Sequence, residues 1–236
     1  MIFRSLALRS GLIGLGGMIA LSIVPASASS LVVNGDFSAG DTAFSSDYVS
    51  FTNPPSTGII PGPGGYVVTP ANNVFFSGGA SDWTTVPTDP FGGNGNVLAA
   101  DGSLNAGAKV WYQTVNGLSP NASYLFSFWG ADVNTLPASN AAIQAYVNGT
   151  LVGTLDTTQG WLFASFLWTN SGSNTSAILS LVDANTDYGW NDFAVTDIAL
   201  SQTPLPAALP LFASGLGVMD FLARRRKRKN AASIAA

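Results

Sequence analysis

Between residue 29 and about residue 201, short apolar runs alternate with clusters of Gly, Asn, Thr, Ser and Pro, and no stretch has the period of an amphipathic helix. Short runs bounded by turn residues are typical of β-strands in a single all-β sandwich or barrel. The clearest hairpin signal is Asn148-Gly149, between AIQAYV and TLVGTL, because this dipeptide accepts the positive φ angles of a two-residue turn. Strands are predicted over 31–33, 66–68, 73–77, 96–100, 108–116, 123–131, 142–147, 151–155, 160–169, 175–183 and 193–200, with long loops over 38–65 and 78–95.

Some of these strands are apolar on both faces. In YLFSFW (124–129) the even-numbered side chains share one face and the odd-numbered side chains share the other, and both sets contain large apolar groups. A neighbouring sheet, a long loop or a ligand is therefore expected over the second face. In FAVTDIAL (193–200) the alternation breaks midway, and a β-bulge around Thr196-Asp197 would return both halves to one face and aim Asp197 away from the ladder.

The chain has no Cys, no His and no Glu. Disulfides, thiolate metal sites, and Ser-His-Asp or Cys-His catalysis are therefore excluded, and typical zinc sites are not expected. The remaining oxygen ligands, from Asp, amides and backbone carbonyls, suit calcium. Many Asp pairs arise by chance and none lies in a recognisable motif, so we predict no enzyme and keep an Asp-based glycosidase as the lesser alternative.

Charge is distributed unevenly along the chain. Eight of the nine cations lie near the two ends, and between residues 29 and 203 Lys109 is the single cation. The same span holds twelve Asp residues, so its net charge is −11. An acidic middle therefore lies between two basic-tipped apolar ends.

The first 28 residues have the pattern of a secretory signal peptide. Arg4 and Arg9 form a basic region, an apolar run follows, and Ala26 and Ala28 supply the small-residue cleavage site. The alternative is an uncleaved anchor helix. We predict that signal peptidase cuts after Ala28, once the Sec translocon has received the chain, and that residues 29–202 are exported.

The C-terminal region combines prolines, an apolar run and a basic cluster. Segment 205–223 is predicted as a short transmembrane helix, because a bilayer core takes about 20 apolar residues. The cations are expected to keep the 230–236 tail in the cytoplasm and the domain outside; they are Arg224, Arg225, Arg226, Lys227, Arg228 and Lys229. A nucleic-acid arm is not expected, because export separates the domain from any cytoplasmic nucleic acid.

Four segments of the middle resemble jelly-roll carbohydrate-binding modules and their exported relatives. They are LVVNGDFSAG (31–40), VWYQTVNGLSPNASYLFSFW (110–129), YVNGTLVGT (146–154) and GWNDFAVTDIAL (189–200). The resemblance implies a jelly-roll β-sandwich of about 8–11 strands, in some members with a sugar-binding face. It also implies a structural calcium ion where the first and last strands meet, which would be near Asp36 and Asp197. Two carboxylates of the family pattern are replaced, by Ser38 and Thr196, and the alternative is that Asp36 and Asp197 cap turns through Asx-type bonds.

Two further sets of residues are candidate ligand contacts. Asp183, Asn185 and Asp187 alternate like the first half of a calcium loop, and the alternative is a polar turn before the last strand. Trp83 and Trp190 lie in polar loops and are the preferred sugar platforms. The other aromatic candidates lie in apolar strands, where a core role is the default; they are Trp111, Tyr112, Trp129, Trp161 and Trp168.

Segment 203–229 resembles the PEP-CTERM sorting signal of Gram-negative bacteria, in its V-P-L-P-A variant. The matching residues are PLPAALPLFASGLG and ARRRKRK, with Thr203 in place of the usual Val. The resemblance implies that an exosortase, a membrane cysteine protease, recognises Pro204, Leu205, Pro206 and Ala207 while the protein crosses the inner membrane. Such proteins are associated with exopolysaccharide and biofilm. A non-catalytic surface or matrix protein that contacts exopolysaccharide is therefore expected, and an acidic structural matrix protein without a specific ligand is the alternative.

Overall fold

The computed structural model describes residues 29–51, 58–60, 62–76, 88–133, 140–187 and 191–203. These residues contain twelve strands and one short 3₁₀ turn (Ala71–Asn73). No helix within these ranges is long and apolar enough to cross a membrane. The strands are β1 (Val49–Ser50), β2 (Gly58–Ile60), β3 (Gly65–Pro70), β4 (Val74–Phe76), β5 (Asn96–Ala100), β6 (Lys109–Asn116), β7 (Ser123–Asp132), β8 (Ala142–Val147), β9 (Thr150–Asp156), β10 (Leu162–Thr169), β11 (Ser176–Asp183) and β12 (Phe193–Gln202).

Two main sheets form the sandwich. The larger has six strands in the order β1-β3-β5-β12-β7-β10, the smaller has four in the order β6-β11-β8-β9, and β2 and β4 form a separate pair. Neighbouring strands run antiparallel except in the β1–β3 and β2–β4 pairs. The predicted all-β jelly-roll sandwich is confirmed. The predicted signal helix, transmembrane helix and domain boundary at residue 28 lie outside the described residues.

The core lies between the two sheets and is built by side-chain alternation. Phe126 and Phe128 on β7 point inward with Leu179 and Leu181 on β11, and Trp111 on β6 is fully buried beside them. Because successive side chains on a strand point to opposite faces, the intervening residues of β7 must lie on the outer side of the larger sheet. The outer side therefore carries the odd-numbered residues of YLFSFW, as predicted.

The predicted bulge in β12 is confirmed. The pairing of β12 with β7 shifts register between Thr196 and Ala199, and Asp197 has a φ of +52°. Residues on both sides of the bulge, Val195 and Ile198 among them, point into the same core. The extra residue thus reconciles the two halves of FAVTDIAL and leaves Asp197 outside the regular ladder.

The two-residue hairpin is also confirmed, and the first predicted strand is wrong. Asn148 and Gly149 have φ angles of +50° and +75° and join β8 to β9. Segment 31–33 forms no strand, because its hydrogen bonds go to mixed partners: the Leu31 amide donates to the Leu200 carbonyl and the Val33 amide to the Gln113 side chain. The predicted 38–65 loop contains β1 and β2.

Part of the outer side of the larger sheet is covered. A second apolar cluster lies there, and Trp161 packs against it and donates its indole N–H to the Thr88 carbonyl at 2.8 Å. Its buried members are Val67, Ala71, Val74, Val97, Ala99, Val133 and Ala194. Local chain therefore covers the β3 and β5 side, whereas among the described residues Phe163 and Leu167 of β10 remain exposed.

Candidate functional site

The open part of the larger sheet carries an apolar strip, which we call the outer face. It is built from cross-strand pairs of β7 and β10, with Trp129 opposite Phe163 and Leu125 opposite Leu167. Phe163 is 55% exposed and Leu167 is 64% exposed, while Trp129 is half-buried. Two pairs of large apolar side chains thus lie on this face, with the Ser127–Ser165 pair between them.

Three aromatic rings cluster at one end of the outer face. The Trp129 ring lies 5.2 Å from Phe163 and 5.9 Å from Phe91 between centroids, and Phe91 is 72% exposed. These separations are those of mutually supporting aromatic pairs. The rings come from two strands and the loop before β5, so no single stretch of sequence predicts the cluster.

A rigid turn positions Phe91. The Asp89 carboxylate accepts hydrogen bonds from the backbone amides of Phe91, Gly93 and Gly95 at 2.7–2.9 Å. A Cβ at Gly93 or Gly95 would lie 2.8–2.9 Å from that carboxylate, so the turn closes only around glycine. The Gly95 amide has the largest effect on the pKa of Asp89 and lowers it; burial opposes this, and the amides of Gly93 and Phe91 lower the pKa further, so that it is lowered overall. Asp89 therefore remains charged beside the rings.

Asp36 and Asp197 meet in a pocket of about 320 Å³ beside the outer face. The pocket is also lined by Ala199, whose partner across the sheet is Ser127 on β7. Partial burial raises the pKa of Asp197, and the neighbouring charges of Asp36 and Asp89 raise it further. Asp197 therefore lies close enough to both Asp36 and Asp89 for their charges to repel its own.

A close approach fixes this corner. The Gly35 carbonyl accepts a hydrogen bond from the Ile198 amide at 2.9 Å, and a Cβ on Gly35 would lie only 1.9 Å from the Ile198 carbonyl oxygen. Asn34 and Phe37, with φ angles of +56° and +54°, turn the chain around this contact. The Asn-Gly-Asp-Phe motif thus brings Asp36 against the β12 bulge.

The residues at this corner fall short of the implied calcium site. Asp36 Oδ1 accepts hydrogen bonds from the Ser38 amide and hydroxyl at 3.2 and 3.0 Å, which is an Asx turn, and the Thr196 hydroxyl donates to the Asn96 carbonyl. Calcium takes six to eight oxygen ligands. Across the described residues, no group of three or more acidic side chains is arranged to hold a metal ion.

The second calcium candidate is a pair of successive turns. The Asp183 carboxylate is buried and accepts hydrogen bonds from the Ala142 and Asn185 amides and the Asn191 side chain. Asn185 Oδ1 accepts from the Asp187 amide, and Asp187 is exposed. The alternation of polar residues in this loop therefore matches the polar turn weighed as the alternative.

The structure corrects the expected role of one tryptophan. Trp129, assigned to the core by default, lies on the outer face, whereas Trp111 and Trp168 do point inward. The preferred platforms Trp83 and Trp190 lie outside the described residues. So do the signal cleavage residues, the sorting motif and the basic cluster.

A buried acidic cluster was missed at sequence level. Phe193 pairs with both Ala100 and Asp132, so Asp101, Asp132 and Asp192 meet at one end of the larger sheet, and Asp183 approaches from β11. Burial raises the pKa of Asp101 and of Asp183 to about 6. Burial and then the neighbouring charge of Asp101 raise the pKa of Asp192, which is hydrogen-bonded to Asp101. The sequence contains one indication of this cluster: Asp101 directly follows β5, and β7 and β11 end in Asp132 and Asp183.

No protein-family model and no curated protein matches this sequence. Similar solved structures include the sugar-binding C-terminal domain of EclA, at 18% identity and a TM-score of 0.33 over 39% of this chain and 66% of that one. A family 16 carbohydrate-binding module matches at 20% identity and a TM-score of 0.40 over 72% and 98% of the two chains. The enzymatically active domain of tailspike protein 4 from bacteriophage CBA120 matches at 13% and 0.43 over 74% and 21%.

This chain thus spans about two thirds of the EclA domain and a fifth of the tailspike domain that it matches. The solved structures that it resembles are mostly carbohydrate-binding module jelly-roll domains.

Proposed function

We propose that this is an exported, non-catalytic protein whose sandwich domain contacts polysaccharide through the outer face. The observation that carries the proposal is the exposed aromatic strip of Phe91, Trp129 and Phe163. Flat rings stack on the apolar faces of sugar rings, and nearby carboxylates and serine hydroxyls bond sugar hydroxyls. A contiguous exposed apolar patch on a soluble domain is typical of an interaction site.

The contrast with the smaller sheet supports this assignment. Its outward residues on β6 and β11 are mixed, with Thr114 and Ser176 next to a single exposed Ile178. Isolated apolar residues of that kind are normal on protein surfaces. Tyr112 and Tyr146 also face outward on the smaller sheet but are half-buried, so the most exposed described rings lie on the outer face.

The buried carboxyl pair is unsuited to glycoside hydrolysis. Glycosidases hold two carboxyls roughly 5–9.5 Å apart across a site open to substrate. The pair that the described residues bring closest, Asp101 and Asp192, is buried and directly hydrogen-bonded. A sugar has no room between them.

The proposal includes delivery by the route that the sequence motifs suggest. The signal peptide starts export, the 205–223 helix and Arg224–Lys229 cluster hold the chain in the inner membrane, and exosortase cuts near Pro204–Ala207. Its support is the sequence resemblance alone. The product would act at the cell surface or in the extracellular matrix.

Polysaccharide co-sedimentation tests the proposal. Trp129→Ala should weaken binding of the preferred polysaccharide about tenfold or more, because a central aromatic anchor in an interface contributes upwards of about 1.4 kcal/mol. Ile178→Ala, which truncates a 49% exposed residue on the smaller sheet, is the matched control and should bind normally. Folded protein that binds no polysaccharide in a broad panel would favour the purely structural matrix role. Equal losses in both variants would show that the outer face is not the site.

A further inference from the structure

The charges around the outer face are all of one sign. Asp89 lies in the turn of Phe91, Asp197 directly follows the β12 residue that pairs with Trp129, and Asp36 lines the same pocket as Asp197. The one cation of the described residues, Lys109, lies on β6 in the other sheet. There Lys109 is held 3.6 Å from Asp47 and over the Tyr112 ring at 5.5 Å. A ligand on the outer face therefore meets carboxylates and no counter-charge from the described chain.

We infer that the preferred ligand of the outer face is a polysaccharide that carries free amino groups. The inference rests on the proposed function and names the chemical class of its ligand. Complementary charge favours a ligand and like charge excludes one. A glycan of uronic acids would bring its carboxylates against three others, whereas an amino glycan would bring ammonium groups.

The carboxylates are built to remain in place. Asp89 is fixed by three backbone amides, and its carboxylate cannot swing away from an approaching ligand without breaking them. Asp36 is fixed by the Ser38 amide and hydroxyl. These donors are neutral and do not cancel the negative charge of the carboxylates. The repulsion between Asp36 and Asp197 is therefore still present when no ligand is bound.

An ammonium group offers that relief in two ways. It forms charge-assisted hydrogen bonds with carboxylates, which are roughly twice as strong as neutral ones. It also reduces the repulsion between the Asp36 and Asp197 carboxylates, because both line the same pocket. The adjacent rings supply stacking for the sugar that carries the amine, so one ligand satisfies both halves of the site.

The test compares oligosaccharides of matched length made from glucosamine, N-acetylglucosamine and glucuronate. The full chain is kept in a polyoxyethylene detergent, because alkyl-glycoside detergents are themselves sugars, and titrations use low salt and a slightly acidic buffer. The glucosamine oligomer should bind at least about fivefold more tightly than its N-acetylated counterpart, because exposed ion pairs each change affinity by up to about fivefold. Glucuronate should bind most weakly.

Charge-neutralising variants locate the effect. Asp36→Asn and Asp197→Asn should reduce the preference for glucosamine to about twofold or less, because they weaken glucosamine binding more than N-acetylglucosamine binding. Asparagine keeps the Asx turn at residue 36 and tolerates the positive φ at residue 197. Asp156→Asn is the control, since Asp156 is an exposed carboxylate on β9 in the other sheet, and it should retain the preference.

Each remaining outcome decides between the two proposals. Equal binding of glucosamine and N-acetylglucosamine oligomers, lost in Trp129→Ala, would overturn the amino-glycan inference and leave the proposed function intact. The same loss of preference in Asp156→Asn as in the other two variants would also overturn it, because net charge and not the outer face would be responsible. Binding of none of the oligomers by folded protein would count against the proposed function itself.

Discussion

The stability of the fold should fall as the pH rises, because the buried acidic cluster holds protons more tightly when folded. Asp183 has an unfolded pKa near 3.8 and a folded pKa of about 6, raised by burial. A raised folded pKa contributes stability that is fully present below about pH 4 and is lost as the pH passes through about 6. Asp101 and Asp192 act in the same direction.

The size of the effect follows from the shift. At 1.36 kcal/mol per pKa unit, Asp183 alone changes the free energy of unfolding by about 3 kcal/mol between pH 4 and pH 8. A domain of this kind is typically stable by only about 5–15 kcal/mol, so the change is a large share of the total. Asp89 works in the opposite direction, because its pKa is lowered, and its contribution fades only at acid pH.

The Asp192→Asn variant isolates the cluster. Asparagine mimics the protonated carboxyl that the fold prefers, so the variant should match the parent below about pH 4 and be more stable than it at pH 8. Urea denaturation at each pH, followed by tryptophan fluorescence with the buried Trp111 among the reporters, measures the difference. A free energy of unfolding that stays flat or rises between pH 5 and pH 8 would refute the reasoning.

Two further predictions concern the corner at Asp36 and the C-terminus. Gly35→Ala should destabilise the fold by about 1–3 kcal/mol, because its Cβ would overlap the Ile198 carbonyl, whereas Gly172→Ala, with nothing within 4 Å, should be near neutral in the same urea titrations. Equal stability of the two variants would contradict the close approach. Mass spectrometry of secreted protein should find a C-terminus near Pro204–Ala207, and an intact Arg224–Lys229 end would refute the sorting proposal.

Local patterns predicted the local features. The bulge at Asp197 followed from a broken alternation, and the Asn148-Gly149 hairpin followed from two residues that tolerate positive φ. Strands β5 and β8 have the predicted bounds, because turn residues flank both runs. Each of these features depends on only a few consecutive residues, which is why the sequence alone predicts it.

Features that depend on register between distant strands were not predictable. Within YLFSFW, Trp129 is predicted to be a core residue. It lies on the outer face because of its pairing with β10, and no described chain covers that part of the sheet. The acidic cluster likewise requires Phe193 to pair with Ala100 and Asp132 at once. Apolar strands fix which residues alternate, but they do not say which of the two faces remains open.

Hydrogen exchange read by mass spectrometry, with and without a bound polysaccharide, tests the binding face most directly. Ligand on the outer face should slow exchange in β7, in β10 and in the loop of Asp89 to Gly95, and leave the smaller sheet unchanged. Protection confined to β6, β8, β9 or β11 would contradict the assignment of the outer face.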